Sequence, residues 1–310
     1  MSVEVREQNG KRPICSYEWY TNDRFLVARL FPDRIRIIAH PVESADDILD
    51  RIPAGITHLV LHINCTNSLH FIEARRHFLD RLRDRGISTI NGQSTDISKR
   101  RLQAICLNRG LNSTLATEIG DPDEVLILKT DRNAEGSIER LVSPSVREQL
   151  RIPEDSTFVK WLMSQCPRYP ILPRREIPAA AWHDNQVIVE RFIANAEERF
   201  YRVHVLHHLM TITEAMCPGV IKKLGATVTY KDTRCYDCNT LAKESIPRHD
   251  LSVIEQVQAV QRSIAFDFAG LDVLVDSAAN TYVVDINTTP FAGETSTDNV
   301  IVSFLRRAIA

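Results

Sequence analysis

No apolar run in the 310 residues approaches the length needed to cross a bilayer, roughly 20 residues. The opening stretch, MSVEVREQNGKRP, contains no apolar core of the kind a secretory leader carries. A cytoplasmic protein with no membrane partner is the expectation. An excess of charge is also missing. The 38 Lys and Arg meet 40 Asp and Glu, for a net charge of −2. Backbone phosphate recognition needs a basic field, so no nucleic-acid partner is expected. Basic runs at Arg81–Arg85 and Lys99–Arg101 sit among acids or on helical stretches and read as solvated faces. The seven cysteines are odd in number and dispersed, which suits reduced thiols better than a disulfide framework. Only Cys235 and Cys238 form a C-x-x-C pattern, whereas a structural zinc needs about four ligands. Cys217 or His249 would have to complete such a site in space, and zinc is not expected. The G-x-x-x-x-G-K phosphate loop is absent, as are internal repeats and low-complexity segments.

What is present is ordinary globular chain. A 44% hydrophobic and 25% charged composition suits one large or two to three modest domains with their own core. Short runs rich in Val, Ile and Leu predict strands at Phe25–Phe31, Arg34–His40, His58–Cys65 and Ile87–Ile90. Phe71, Ala74, Phe78 and Leu82 recur at helical spacing and predict a helix over Ser68–Arg85. Strands alternating with helices imply a parallel α/β sheet in about the first 93 residues. Asp96–Gly110 predicts a helix capped by Asp96 or Ser98, with Lys99 near its positive end. A cation there is unfavourable unless an anion lies nearby; extension of Lys99 into water is the alternative. Val125–Leu128 is an apolar strand ending in Lys129, followed by the polar loop TDRNAEGS. A strand-end lysine before such a loop suits a phosphate, weakly by itself. Glu139–Pro178 reads as irregular, with one helix near Thr157–Gln165.

Val187–Glu190, Phe200–Leu206 and Met210–Glu214 predict further strands, with Arg202 and His204 on one face and a turn at His207–His208. Those histidines lack a carboxylate partner at ligand spacing and are not expected to bind metal. Tyr230–Ile246 is polar and aperiodic and predicts a mobile loop. Asp250 is expected to cap a helix bearing Leu251, Ile254, Val257, Val260 and Ile264, and Val300–Ile309 to form a last helix. Between these two lies LDVLVDSAANTYVVDINTTP, from Leu271 to Pro290, which reads as a β-hairpin. If it closes symmetrically, Asp276 faces Thr281 and Asp272 faces Asp285, with Asn287 two residues on along the same face. Facing side chains lie roughly 5 Å apart, and like charges there repel. Two carboxylates and an amide suit a hard cation such as magnesium; a sheet face in water is the equal alternative.

Taken in order, FDFAGLDVLVD, a turn and TYVVDINTTP resemble the metal-binding hairpin of the ATP-grasp superfamily. Within it, the chain resembles the glutathione-synthetase-like and ribosomal-protein glutamate-ligase branch, from about Asn91 to the C-terminus. DISKRRLQAICLNRGL, VLILKTD, VIVERFI and FYRVHVL resemble its other nucleotide-site segments. The resemblance implies an α/β, or α+β, ATP-grasp fold with an N-terminal α/β domain over residues 1–93. A central subdomain would cover residues 94–186, and residues 187–310 would carry the hairpin. It implies Asp272, Asp285 and Asn287 as metal ligands, with Asp285 bridging two magnesium ions, or manganese in their place. It implies Lys99 and Lys129 on the ATP phosphates. Glu190 and the backbone near Phe192 and Ile193 would border adenine, and Arg202 would grip phosphate and developing charge. The ribose acid of the nearest branch would fall at Phe200, which cannot serve, so Glu197 or Glu198 is the substitute; Glu197 fits the D-alanine ligase spacing. The loop after Lys129 has only Gly136 where relatives are glycine-rich.

The activity so implied is ATP-dependent ligation of a carboxylate to an amine through an acyl phosphate, releasing ADP and phosphate. Substrates would be small molecules or peptides, and relatives form dimers or tetramers, which allows a homo-oligomer. Arg234 and Lys243 of the Tyr230–Ile246 stretch are candidate substrate contacts, and that stretch a candidate lid. An ATP-grasp kinase and a non-catalytic nucleotide-binding protein are the alternatives.

Overall fold

The computed structural model describes residues 13–20, 22–165, 169–194, 199–217, 228–291 and 296–309. The first of three sheets is parallel, in the order β2-β1-β3-β4. Its strands are β1 (Ile14–Glu18), β2 (Ile35–Ile38), β3 (His58–His62) and β4 (Ser88–Ile90). Parallel neighbours need crossovers, supplied here by α1 (Leu26–Leu30), α2 (Ala45–Arg51) and α3 (Arg75–Asp84). The predicted strand at Phe25–Phe31 is α1. Its buried Leu26, Val27 and Leu30 fall on one helical face and pack with Phe268 and Leu305. β1 lacks a sequence signal because two of its five residues, Ser16 and Glu18, are buried polar groups. Glu18 Oε1 accepts from the Ser16 hydroxyl at 2.6 Å and from Arg34 Nε at 2.7 Å. The predicted helix over Ser68–Arg85 begins only at Arg75, after Ala74 in a left-handed conformation (φ 52°).

The second sheet is antiparallel, in the order β6-β5-β7. It comprises β5 (Val125–Thr130), β6 (Ile171–Pro173) and β7 (Val187–Arg191). Helix α4 (Lys99–Asn108) precedes it. Between β5 and β7 lie α5 (Ser137–Arg140), α6 (Pro144–Gln149), α7 (Thr157–Ser164) and α8 (Ala179–His183). Leu126, Leu128, Val187 and Val189 form its core with Val159 and Leu162 of α7.

The third sheet, antiparallel throughout, has the order β10-β9-β8-β11-β12. Its strands are β8 (Arg199–Leu206), β9 (Leu209–Met216), β10 (Thr229–Asp237), β11 (Phe268–Val275) and β12 (Thr281–Asn287). Helix α9 (Arg248–Ile264) precedes β11, and α10 (Ser296–Leu305) follows β12. Val203, Val205, Ile212, Leu271, Val273 and Ile286 pack with Leu102 of α4 and Val253, Val257 and Val260 of α9. Burying each such side chain contributes about 1.5–3 kcal/mol. Strand alternation then places the polar residues between them on the opposite face.

The predicted mobile loop at Tyr230–Ile246 is therefore corrected: its first half is β10, paired with β9. Its charged side chains hide a strand that Asp250 anchors. This buried carboxylate accepts from Arg234 Nη2 at 2.9 Å and also from Arg234 Nε and the Tyr236 hydroxyl. Asp250 is not the helix cap either; α9 begins two residues earlier, at Arg248, with Pro247 in the cap position. The first and third sheets are joined at Asn91. Its Oδ1 accepts from the Asp267 and Phe268 N–H groups at 2.8 and 2.9 Å, and its Nδ2 donates to the Phe268 carbonyl at 2.8 Å.

Candidate active site

The polar face of the third sheet carries one row of charges. The register places Arg202 of β8 beside Asp272 of β11, and Asp272 beside Asp285 of β12. The hairpin does not close symmetrically. Val275, not Asp276, pairs with Thr281, and the pairing then runs through Leu274–Tyr282 and Val273–Val283. The register shifts between Val273 and Asp272, leaving Val284 as the extra residue of a bulge. That extra residue restores the Asp272–Asp285 pairing. Asp276 instead folds the turn on itself, accepting from the N–H groups of Ala278 and Asn280.

Each carboxylate of the facing pair has a cation. Arg202 Nε donates to Asp272 Oδ1 at 3.2 Å, and Nη2 lies 3.1 Å from the same oxygen. The Asp272 carboxylate holds the Arg202 guanidinium above its ordinary range. Lys99 Nζ lies 3.6 Å from Asp285 Oδ1 and donates to the Arg132 carbonyl at 2.8 Å. Both Lys99 and Asp285 are buried. Lys99 is the first residue of α4, where the helix dipole opposes a cation. Side-chain oxygens answer the free N–H groups at that end. Asp131 Oδ1 accepts from the Arg100 N–H at 2.7 Å, and Ser98 Oγ accepts from the Arg101 N–H at 3.3 Å. Burial pushes the Asp131 carboxyl above its usual range.

A second pair joins β5 and β7. Lys129 Nζ lies 2.7 Å from Glu190 Oε2, and the Thr114 hydroxyl donates to Glu190 Oε1. Glu190 is fully buried, with the Lys129 ammonium against one carboxylate oxygen and the Thr114 hydroxyl on the other. Beyond it the Arg191 N–H donates to the Thr114 carbonyl at 2.6 Å, and the Phe192 N–H to the Val125 carbonyl at 3.0 Å. The half-buried Ile193 follows. Glu197 and Glu198 lie outside the described residues.

Asn287 pairs with Gly270, which pairs with His204. The Asn287 Oδ1 accepts from the Thr289 N–H at 2.9 Å and its hydroxyl at 3.0 Å, turning the chain back toward Pro290. A Cβ on residue 270 would stand 3.0 Å from the Pro290 Cβ, a tight approach that favours glycine at this return. The loop after Lys129 lies against β12, with Ala134, Glu135 and Gly136 all left-handed (φ 44°, 60° and 75°). Only the last is a glycine.

The structure thus joins Lys99, Arg202, Asp272 and Asp285 in one cluster and Lys129 with Glu190 in another. The carbonyl of Asp131, two residues beyond Lys129, accepts from the Lys99 N–H at 3.2 Å and ties the two together. Asp131 and Thr114 carry no sequence signal, since each acts on a partner far along the chain. Arg234 is held by Asp250, and Lys243 Nζ by Glu255 at 2.9 Å. Cys238 packs against the core beneath the third sheet, whereas Cys235 pairs with Thr211 on a strand whose neighbours there face the other way. Among the described residues no three His, Cys, Asp or Glu side chains gather as a metal site.

No protein-family model matches the chain, and no curated protein matches it in sequence. Solved structures do match. An L-amino acid ligase from Bacillus licheniformis aligns with a TM-score of 0.51 at 11% identity, over 96% of this chain and 73% of that one. A D-alanine–D-alanine ligase from Bacillus anthracis complexed with ATP gives 0.49 at 13% identity, over 97% and 96% of the two chains. A RimK domain ATP-grasp protein from Sphaerobacter thermophilus gives 0.47 at 10% identity, over 96% and 97%. The first of these, spanning nearly all of this chain, shows a shared fold. The architecture is mixed α/β and is shared with that ligase at the level of the fold.

Proposed function

We propose that this protein is an ATP-dependent carboxylate–amine ligase. The observation that carries the reading is the row Arg202–Asp272–Asp285, closed by Lys99. Two facing carboxylates repel one another, and this chain offsets the repulsion with one cation on each. The same four groups suit a magnesium–polyphosphate: acids for the metal, cations for the phosphate oxygens. Asp272 and Asp285 are hard oxygen donors on one sheet face and fit magnesium; the Asn287 amide oxygen, two residues on, would join them by giving up its Thr289 contacts. Bound there, the ion would neutralise phosphate charge and draw electrons from the phosphorus.

The remaining roles belong to the chain. Lys99 and Lys129 would hold phosphate oxygens, and Arg202 would stabilise charge on the transferred phosphoryl group. The backbone at Phe192 and Ile193 would border adenine. Because the Phe192 N–H is already given to Val125, base recognition there would fall to the Phe192 carbonyl and to Ile193. The buried Glu190 would fix Lys129 rather than touch the base. Glu197 is the candidate ribose ligand. A substrate carboxylate would attack the γ-phosphate, and an amine would displace phosphate from the resulting acyl phosphate.

ADP release across pooled carboxylates and amines with magnesium tests this reading. A ligase liberates free phosphate in step with ADP. Oxygen-18 placed in the accepted carboxylate must then appear in that phosphate. Phosphate retained on an organic product would instead establish a kinase.

A further inference from the structure

We propose that Thr66 is a positioning residue that fixes the loop after Lys129 against the nucleotide site. The proposal rests on the ATP-site reading above. Thr66 lies just beyond β3, in the chain leaving the first sheet, and is almost completely buried. All three of its polar groups are used, and each reaches a different part of that site. Its carbonyl accepts from the Ile97 N–H at 2.9 Å, two residues before Lys99. Its Oγ1 accepts from the Asn133 N–H at 2.9 Å, immediately before the left-handed residues of the loop. Its own N–H donates to Glu139 Oε1 at 2.9 Å, just past the loop's end. Glu139 is itself buried.

These contacts hold the left-handed stretch from either side, at Asn133 and Glu139, while Lys99 Nζ holds the Arg132 carbonyl. The Arg132 guanidinium is held in turn by Asp155 Oδ1 at 3.0 Å. A loop with two non-glycine residues in the left-handed region does not adopt that path freely; the surrounding structure must impose it. Thr66 imposes it from the chain segment that leaves the first sheet after β3. It therefore links the first sheet to the phosphate end of the site. The loop is a cover already set in place, which explains how it works with a single glycine.

Thr66→Val removes the Oγ1 acceptor and keeps the branched shape; Thr66→Ser keeps the acceptor. Hydrogen exchange over residues 130–140 and equilibrium binding of magnesium-ATP are measured on the full chain and both variants. Thr66→Val should quicken exchange at Asn133 and weaken ATP binding about 3- to 10-fold, the range of one lost hydrogen bond. Thr66→Ser should restore both. If Thr66→Val quickens exchange yet binds ATP as the unsubstituted chain does, the residue is structural and the proposal fails. Unchanged exchange in Thr66→Val overturns it as well. If the unsubstituted chain does not bind ATP at all, the nucleotide-site reading falls and takes this one with it.

Discussion

Asp272 and Asp285 face one another across β11 and β12 although their hairpin closes one residue away from the symmetrical turn. The extra residue, Val284, restores a pairing that the turn alone would lose. A bulge commonly re-aims a side chain in this way, and here it keeps both acids on the face that carries Arg202. Their separate cations make the two acids unequal. Asp272 pairs with a half-exposed Arg202, whereas Asp285 pairs with a buried Lys99.

Asp285→Asn removes the carboxylate nearest Lys99 but keeps its volume. Magnesium-dependent ADP release should fall by at least about 100-fold, the scale of losing one preorganised charge at a phosphoryl-transfer site. Asp272→Asn should fall similarly and should also free Arg202. Steady-state turnover at saturating ATP checks both. Turnover equal to that of the unsubstituted chain would remove the hairpin from the catalytic site.

Lys129 and Glu190 separate a structural role from a functional one. Lys129→Met leaves the Glu190 carboxylate fully buried, with the Thr114 hydroxyl but no cation against it among the described residues. Breaking a buried pair from one side costs about 3–5 kcal/mol. Adding Glu190→Gln removes the stranded charge and should recover most of that stability in urea titrations. ATP affinity should stay weak in the double variant, since the phosphate-binding cation is still absent. Recovery of both properties together would show that Lys129 serves the fold alone.

What could be read from the sequence follows from where each signal lies. Strand alternation, which depends only on neighbours along the chain, puts Asp285 and Asn287 on one face, but the facing of Asp272 and Asp285 is expected from a symmetrical hairpin and is reached instead through the bulge at Val284. The positions of α4, β5 and β7 were legible from neighbours along the chain in the same way. The Phe25–Phe31 run misleads because a five-residue helix and a short buried strand share one composition. β10 escapes notice because its exposed half has no alternation and its inner half is held by Asp250, from a different element. The partners of Lys99, Lys129 and Arg202 come from distant strands, so their pairing belongs to the fold and not to spacing.

Ala265 tests the fold away from the site. It closes α9 in the left-handed region at φ 59°, with its N–H donating to the Gln261 carbonyl at 2.8 Å. A side chain there opposes a conformation that glycine adopts without steric cost. Ala265→Gly should therefore stabilise the protein by about 1 kcal/mol, with ATP affinity unchanged. Thermal melting and urea titration would measure the gain. A loss of stability would mean that the Ala265 methyl contributes more packing than its backbone costs.

His62 should set the acid limit of the first sheet. Its ring is fully buried at the end of β3, edge-on to Phe25 at 4.8 Å, and burial lowers its pKa from 6.5 to about 4. The surrounding charges oppose one another: Glu18 favours the protonated ring, whereas Arg34 disfavours it. The folded protein thus holds this histidine neutral over a range in which the unfolded chain protonates it. Its contribution to stability is full above pH 6.5, declines as pH falls, and is lost by about pH 4. The shift corresponds to roughly 3 kcal/mol. His62→Phe keeps a ring against Phe25 and has no proton to gain. Urea titrations between pH 7 and 4 should show a shallower loss of stability for the variant, by up to that amount. Parallel pH profiles for the two proteins would mean that another group, and not His62, takes up the proton when the chain unfolds.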